Sequence, residues 1–180
     1  MKTYIGIDNG TSGSIGIIQP YANRFLPTPT FMQDSYTKPE LKKKTKTAKK
    51  RTLVQKKISR LDHKAFHKML VEVTDTSPEI LIILERPMIN PRRFAASMSA
   101  MRCLESQIVA IEDLNIPYRY IDSKEWQKAM LPKEVAGAEA LKYASECRGS
   151  DMWPQYEKLF HKQGDADSML IAEYAKRAEW

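Results

Sequence analysis

Cysteine is scarce in this chain: Cys103 and Cys147 are the only two in 180 residues. Two thiols so far apart make neither a disulfide framework nor a zinc ligand set, so both are expected to be free, buried thiols of a reducing compartment. No apolar run approaches the roughly 20 residues of a membrane-spanning helix, so no membrane partner is expected. A strand pattern starts almost at once, which leaves no expected room for a signal or transit peptide. Acidic residues are missing from one long stretch. Between Lys38 and Arg60, Glu40 is the only acid among eleven lysines and arginines.

That stretch dominates the charge. The net charge is +7, a balance that favours an anionic partner such as nucleic acid. Blocks of like charge stay solvated, so the segment at about 38–60 reads as a mobile loop or a loosely helical arm. Two uses are open for it, a solvated linker or a phosphate-binding arm that includes Lys42, Lys43, Lys44, Lys49, Lys50 and Arg51. The length and the 42% hydrophobic content fit one domain with a sizeable core.

The first strand and its turn run Tyr4-Ile5-Gly6-Ile7-Asp8-Asn9-Gly10, and a second apolar run follows at Ile15-Gly16-Ile17-Ile18. The pattern predicts a β-hairpin of a buried sheet. Asp8 stands out, because a buried carboxylate is costly unless it is paired or holds a metal. It is either the first residue of the turn or a functional acid. Gly10, Gly13 and Gly16 clear side chains from the turn and second strand, so something can approach the backbone beside Asp8.

Farther along, Asn23–Leu26 reads as a third strand ended by Pro27 and Pro29. A helix follows Leu61, with Asp62 as its cap and Phe66, Met69, Leu70 and Val73 on its inner face. His63 and His67 on it are read as surface residues. Ile80-Leu81-Ile82-Ile83-Leu84 describes a strand covered on both faces, taken as the central one, and Glu85 ends it. A buried strand thus delivers a carboxylate at its C-terminal edge for the second time, where open α/β sheets place their sites. A proline-bounded loop with Arg86, Arg92 and Arg93 leads to a helix from about Phe94 to Leu114. Its small residues suit either a dimer face or core packing. A strand at Tyr118–Ile121, a short helix capped by Asp122 or Ser123, and helices at about Glu134–Cys147 and Met152–Phe160 complete the pattern up to the last motif. There Asp165 is placed as a helix cap and Asp167 in the first turn, with Ala166, Met169, Leu170 and Ala172 facing inward.

Two strand-end carboxylates and one on a late helix, in a basic α/β chain, are the hard oxygen ligands that two Mg²⁺ ions need. At this point the chain resembles the RuvC-like Holliday junction resolvases of the RNase H-like superfamily, most closely their bacteriophage branch. The likeness rests on Gly6-Ile7-Asp8-Asn9-Gly10, Ile82-Ile83-Leu84-Glu85-Arg86-Pro87, Ser123-Lys124-Glu125-Trp126-Gln127-Lys128 and Ala166-Asp167-Ser168-Met169-Leu170-Ile171-Ala172-Glu173-Tyr174, in that order.

The resemblance implies an α/β, RNase H-like fold, with a central five-stranded mixed sheet that has an antiparallel hairpin edge and is flanked by helices. It implies a homodimer that nicks four-way junctions in pairs by two-metal hydrolysis, with Mg²⁺ or, in its place, Mn²⁺, and no small-molecule cofactor. The setting would be the cytoplasm, that of the bacterial host if a phage encodes the chain. Asp8, Glu85 and Asp167 match the family's metal-binding acids. The family's fourth ligand has no direct match here; Asp165 is the choice and His161 the alternative. Met88 is the nearest match to a junction-opening residue. Arg92, Arg93, Lys124 and Lys128 are candidate phosphate contacts. Trp126 is assigned to the core. The rival readings are a broader debranching nuclease, a non-catalytic nucleic-acid-binding module, and a fragment of an actin-like or sugar-kinase ATP-binding protein.

Overall fold

The apolar runs around Ile5, Ile17 and Ile83 become strands of one sheet, and the helically spaced ones become the inner faces of helices. The computed structural model describes residues 2–41 and 53–180. Its main sheet joins β1 (Thr3–Ile7), β2 (Ser14–Ile18), β3 (Asn23–Pro27), β8 (Ile80–Glu85) and β9 (Tyr118–Ile121) in the order β3-β2-β1-β8-β9. β1, β2 and β3 are antiparallel, whereas β8 and β9 run parallel to β1. The sheet is therefore mixed, with an antiparallel hairpin edge. β1, and not β8, is the middle strand; β8 is interior but second from the edge, because the short β9 lies outside it.

Side-chain alternation splits the core in two. On one face Ile5, Ile7, Ile15, Ile17, Ile82 and Leu84 pack against α1 (His63–Thr74) and α2 (Phe94–Asp113). Phe66, Met69, Leu70 and Val73 are the buried residues of α1, whose N-terminus is capped by Asp62 accepting from the Ala65 amide at 3.1 Å. On the other face Tyr4, Ile18, Leu81 and Ile83 pack against α3 (Ser123–Met130), α4 (Ala138–Met152), α5 (Glu157–Gln163) and α6 (Asp167–Arg177). Among the described residues no helix is long and apolar enough to cross a membrane.

The described part of the basic region differs from the loop or loose helix expected of it. After β3 the chain turns at Pro29 into β4 (Thr30–Asp34), which pairs antiparallel with β7 (Lys57–Leu61). β5 (Glu40–Leu41) pairs with β6 (Leu53–Val54) farther out, so the segment rises as a two-stranded ribbon. Charge patterning missed it because β4 is exposed along most of its length and carries no clean alternation. The Asp62 amide donates to the Pro29 carbonyl at 2.8 Å and closes the ribbon at its base. Lys42, Lys43, Lys44, Lys49, Lys50 and Arg51 lie outside the described residues.

Other boundaries shift. α4 starts at Ala138, four residues later than expected, because Gly137 takes a φ of +96° and interrupts the run. The next helix is delayed to Glu157 by a 3₁₀ turn at Pro154–Tyr156. Ala166, not Asp165, occupies the cap position of α6. Cys103 is buried but Cys147 is exposed, on the outer side of α4.

Candidate active site

The parallel pairing of β1 with β8 brings the first two acids together. Ile7 is in register with Leu84, so the next residues in the two strands are Asp8 and Glu85. Neighbouring strands lie about 4.8 Å apart, which leaves the two carboxylates side by side at the C-terminal edge of the sheet.

The third acid arrives on α6, and the glycines explain how. Gly6 and Gly16 face each other across the β1–β2 pair. A Cβ on Gly6 would lie 2.1 Å from the Ser168 carbonyl oxygen, and one on Gly16 would lie 2.5 Å from the Met169 nitrogen. What the missing side chains admit is thus the backbone of α6, laid directly on the hairpin. Ser14 donates to the Ser168 hydroxyl at 2.8 Å in this buried contact. Asp167, one residue before, is carried to the same sheet edge. Gly13 serves the turn itself, since a Cβ there would meet the Asp8 carbonyl oxygen at 2.1 Å.

Four carboxylates consequently crowd one place. Burial, then Glu85, Asp167 and Asp165, raise Asp8 well above the usual carboxylate range. Burial, then Asp165 and Glu85, push Asp167 up to about 7, although Ser145 and Lys142 pull it down. Like charges in a poorly solvated site disfavour ionisation, and a cation brought among them would relieve it. Asp165 is only 2% exposed and accepts from the Lys142 ammonium at 3.1 Å. Burial lowers the affinity of Lys142 for its proton, but Asp165, Asp167 and Asp8 outweigh it and leave the ammonium favoured. Among the described residues no three acids, histidines or cysteines form a closed coordination set. The acids are gathered within electrostatic range without converging on one point.

No protein-family model and no curated protein matches the sequence. Solved structures do. RuvC of Thermus thermophilus in complex with a Holliday junction substrate is similar at 12% identity and a TM-score of 0.53, covering 99% of this chain and 96% of that one. A second T. thermophilus RuvC structure is similar at 13% identity and a TM-score of 0.50, covering 98% of this chain and 96% of that one. The fold is RuvC-like.

On this RuvC-like frame the remaining residues singled out in the sequence fall into two groups. Asp165 belongs to the carboxylate cluster. His161 does not; it is exposed on α5, and its Nδ1 pairs with Glu146 at 2.9 Å. Met88 is 80% exposed in the loop after Glu85, and Arg92 and Arg93 are exposed at the start of α2. Lys124 and Lys128 are exposed on α3. Arg86 is engaged with Asp122 at 3.1 Å, so the Asp122 carboxylate is turned away from capping α3.

Three residues with a part in the site had gone unassigned to it. Trp126 is fully buried, as expected of a core residue, but its Nε1 also donates to Glu85 Oε1 at 3.0 Å. Ser145 on α4 accepts from the Ala166 amide at 3.1 Å and donates to Asp167. Lys142, nearly one turn earlier on α4, holds Asp165. A weak signal for α4 was present in its small residues: a Cβ on Gly149 would lie 2.3 Å from that of Ala166, so Gly149 lets α4 press against the start of α6.

Proposed function

We propose that this chain is a divalent-metal-dependent endodeoxyribonuclease selective for four-way and related branched DNA junctions. The observation that carries the reading is the cluster of four carboxylates at the C-terminal edge of β1 and β8, completed by the start of α6 on a RuvC-like fold. The T. thermophilus neighbour that is bound to a Holliday junction supports a branched-DNA substrate class.

Asp8, Glu85, Asp165 and Asp167 offer hard oxygen ligands, and their mutual repulsion is the property that favours a doubly charged cation. They would hold two Mg²⁺ ions, with Mn²⁺ as a substitute. Bound there, the ions supply Lewis-acid activation of water and stabilisation of the departing oxygen in phosphodiester hydrolysis. The other residues orient these ligands: Trp126 fixes one oxygen of Glu85, Ser145 fixes Asp167, and Lys142 offsets the charge of Asp165. Arg92, Arg93, Lys124 and Lys128 contact phosphates, and Met88 enters the opened branch point. A homodimer, which the small residues in the first half of α2 suit, presents two such sites to symmetric strands.

The test is cleavage of a synthetic four-way junction beside a Y-fork, a linear duplex and an RNA/DNA hybrid, with Mg²⁺, Mn²⁺ or EDTA. Paired symmetric nicks on the junction with either metal, and none in EDTA, are expected. Equal cleavage of forks would make the chain a general debranching nuclease. Cleavage of none would overturn the assignment.

Trp126→Phe separates packing from orientation. The ring is kept and only the N–H to Glu85 is lost, so stability should change little while metal affinity or cleavage falls about 10–100-fold. A magnesium titration of cleavage in the two proteins measures this; an unshifted titration would remove Trp126 from the site.

A further inference from the structure

A groove of about 550 Å³ lies between the ribbon and the first half of α2. Phe94 and Met98 supply apolar surface on the α2 side, with Phe94 70% exposed. The charge is less evenly distributed. Lys56 pairs with Glu40 at 2.8 Å and Lys57 with Asp34 at 3.3 Å, so these lysines have local counter-ions. Arg60 and Arg102 have none among the described residues.

Both guanidinium groups are instead gathered on one ring. Arg60 lies 5.8 Å and Arg102 5.6 Å from the centroid of Tyr36, which is 62% exposed between β4 and β5. Arg60 comes from β7 and also donates to the Gln33 amide oxygen at 3.2 Å, whereas Arg102 comes from α2. Each cation–π contact is modest. Two like charges collected from separate elements without a carboxylate between them form a receptor for an anion, and a planar fork suits phosphate oxygens. Arg102 and Ser99 line the groove and also, together with Arg60, a narrow cleft at its inner end that reaches Thr11, in the turn that follows Asp8. The receptor is thus continuous with the edge of the catalytic turn.

We infer that the groove between the ribbon and α2 holds an unpaired DNA strand, its phosphates on Arg60 and Arg102 and its bases against Phe94 and Met98, with Tyr36 as the positioning residue for both arginines. A phosphate line beside an apolar wall matches a single strand, whose bases are free to turn sideways, better than a duplex, whose bases are stacked inside. This inference rests on the DNA-binding part of the function proposed above. It adds that unpaired nucleotides beside a branch point are gripped by the ribbon.

The test uses the full chain in EDTA, with fluorescence anisotropy of a labelled dT15 oligonucleotide and of a blunt duplex at several salt concentrations. Arg60→Gln/Arg102→Gln should lower the salt slope for the oligonucleotide by about 1.4, at roughly 0.7 per phosphate contact on single strands. Duplex binding should change less than twofold. Tyr36→Ala should weaken oligonucleotide binding at least threefold, while Tyr36→Phe, which keeps the ring, should stay within twofold of the parent protein. An unchanged slope in the double variant overturns the inference. So does an unchanged oligonucleotide affinity accompanied by a shift from dimer to monomer in sedimentation, which would make the groove a protein interface. The metal-dependent cleavage assay on the parent protein stands apart: cleavage with an unchanged slope rejects the clamp alone, and a reduced slope without cleavage rejects the nuclease alone.

Discussion

Replacing Asp167 by Asn should abolish metal-dependent cleavage and, in the same protein freed of metal, make the fold more stable at pH 8. The two effects have one cause. Asp167 has its carboxyl pushed up to about 7 by burial, Asp165 and Glu85. In the unfolded chain that carboxyl titrates near 4. Between these values the folded state keeps a proton that the unfolded state releases, so stability falls as pH rises, by up to about 1.4 kcal/mol per pH unit. Above the folded value both states are ionised and the full penalty remains. Asn carries no charge and can still accept from Ser145, so the variant escapes the penalty. It also loses a ligand that carries charge, which should cost about 10³-fold or more in cleavage rate. Thermal unfolding in EDTA at pH 5 and pH 8 measures the first effect: the variant's advantage should be small at pH 5 and larger at pH 8. Added Mg²⁺ should stabilise the parent protein and leave the variant almost unchanged. A variant less stable than its parent in EDTA at pH 8 would contradict the electrostatic account of the cluster.

The second large effect concerns Gly16→Ala. A methyl group there would lie 2.5 Å from the Met169 nitrogen and 2.6 Å from the Ser168 carbonyl carbon, both backbone atoms of the first turn of α6. Backbone in a helix packed flat on a sheet has no rotamer by which to give way, so α6 must lift. Overpacking of this kind costs about 3 kcal/mol, or a fall in melting temperature of roughly 10 °C for a chain of this size. Cleavage should fall as well, because the part of α6 that lifts carries Asp167. Gly164→Ala is the control. A Cβ there meets nothing within 4 Å, although the φ of +90° makes any side chain strained. Its loss should be about 1 kcal/mol. Equal losses at the two positions would mean that conformational strain, and not the approach of α6, explains Gly16.

Much of this architecture was legible because burial writes itself into short apolar runs. Asp8 and Glu85 each terminate one, and a carboxylate that follows Ile7 or Leu84 declares itself. Asp167 was legible for a related reason, since Ala166, Met169, Leu170 and Ala172 fix which side of its helix faces the sheet. The rest depends on contacts between distant parts of the chain. α4 buries only Ser145 and Gly149 among its fifteen residues, so nothing in its periodicity announces that Lys142 and Ser145 reach the acids. Asp165 falls one residue before the cap position, which Ala166 takes; its Oδ1 accepts from the Asp167 amide at 3.5 Å and its Oδ2 from the Lys142 ammonium, a partner too distant in sequence to foresee. The fate of Trp126 was half visible: its bulk marks it for the core, whereas its N–H finds Glu85 only through the packing of α3 on the sheet. In the ribbon a composition of solvated charge concealed strands whose pairing is local to themselves.

The closure of the ribbon at Pro29 and Asp62 bears on how such a protein can change. The chain leaves β3 and rejoins α1 at a closed base, where the Asp62 amide meets the Pro29 carbonyl and Leu61 of β7 is buried in the core, so the path of the main sheet does not depend on what lies beyond. The ribbon can lengthen, shorten or exchange its charges without displacing Asp8, Glu85 or Asp167. For the nuclease proposed above, reach toward a substrate and the chemistry performed on it would then be independently adjustable, and a lineage could alter which DNA shapes the ribbon grips while the reaction stays fixed.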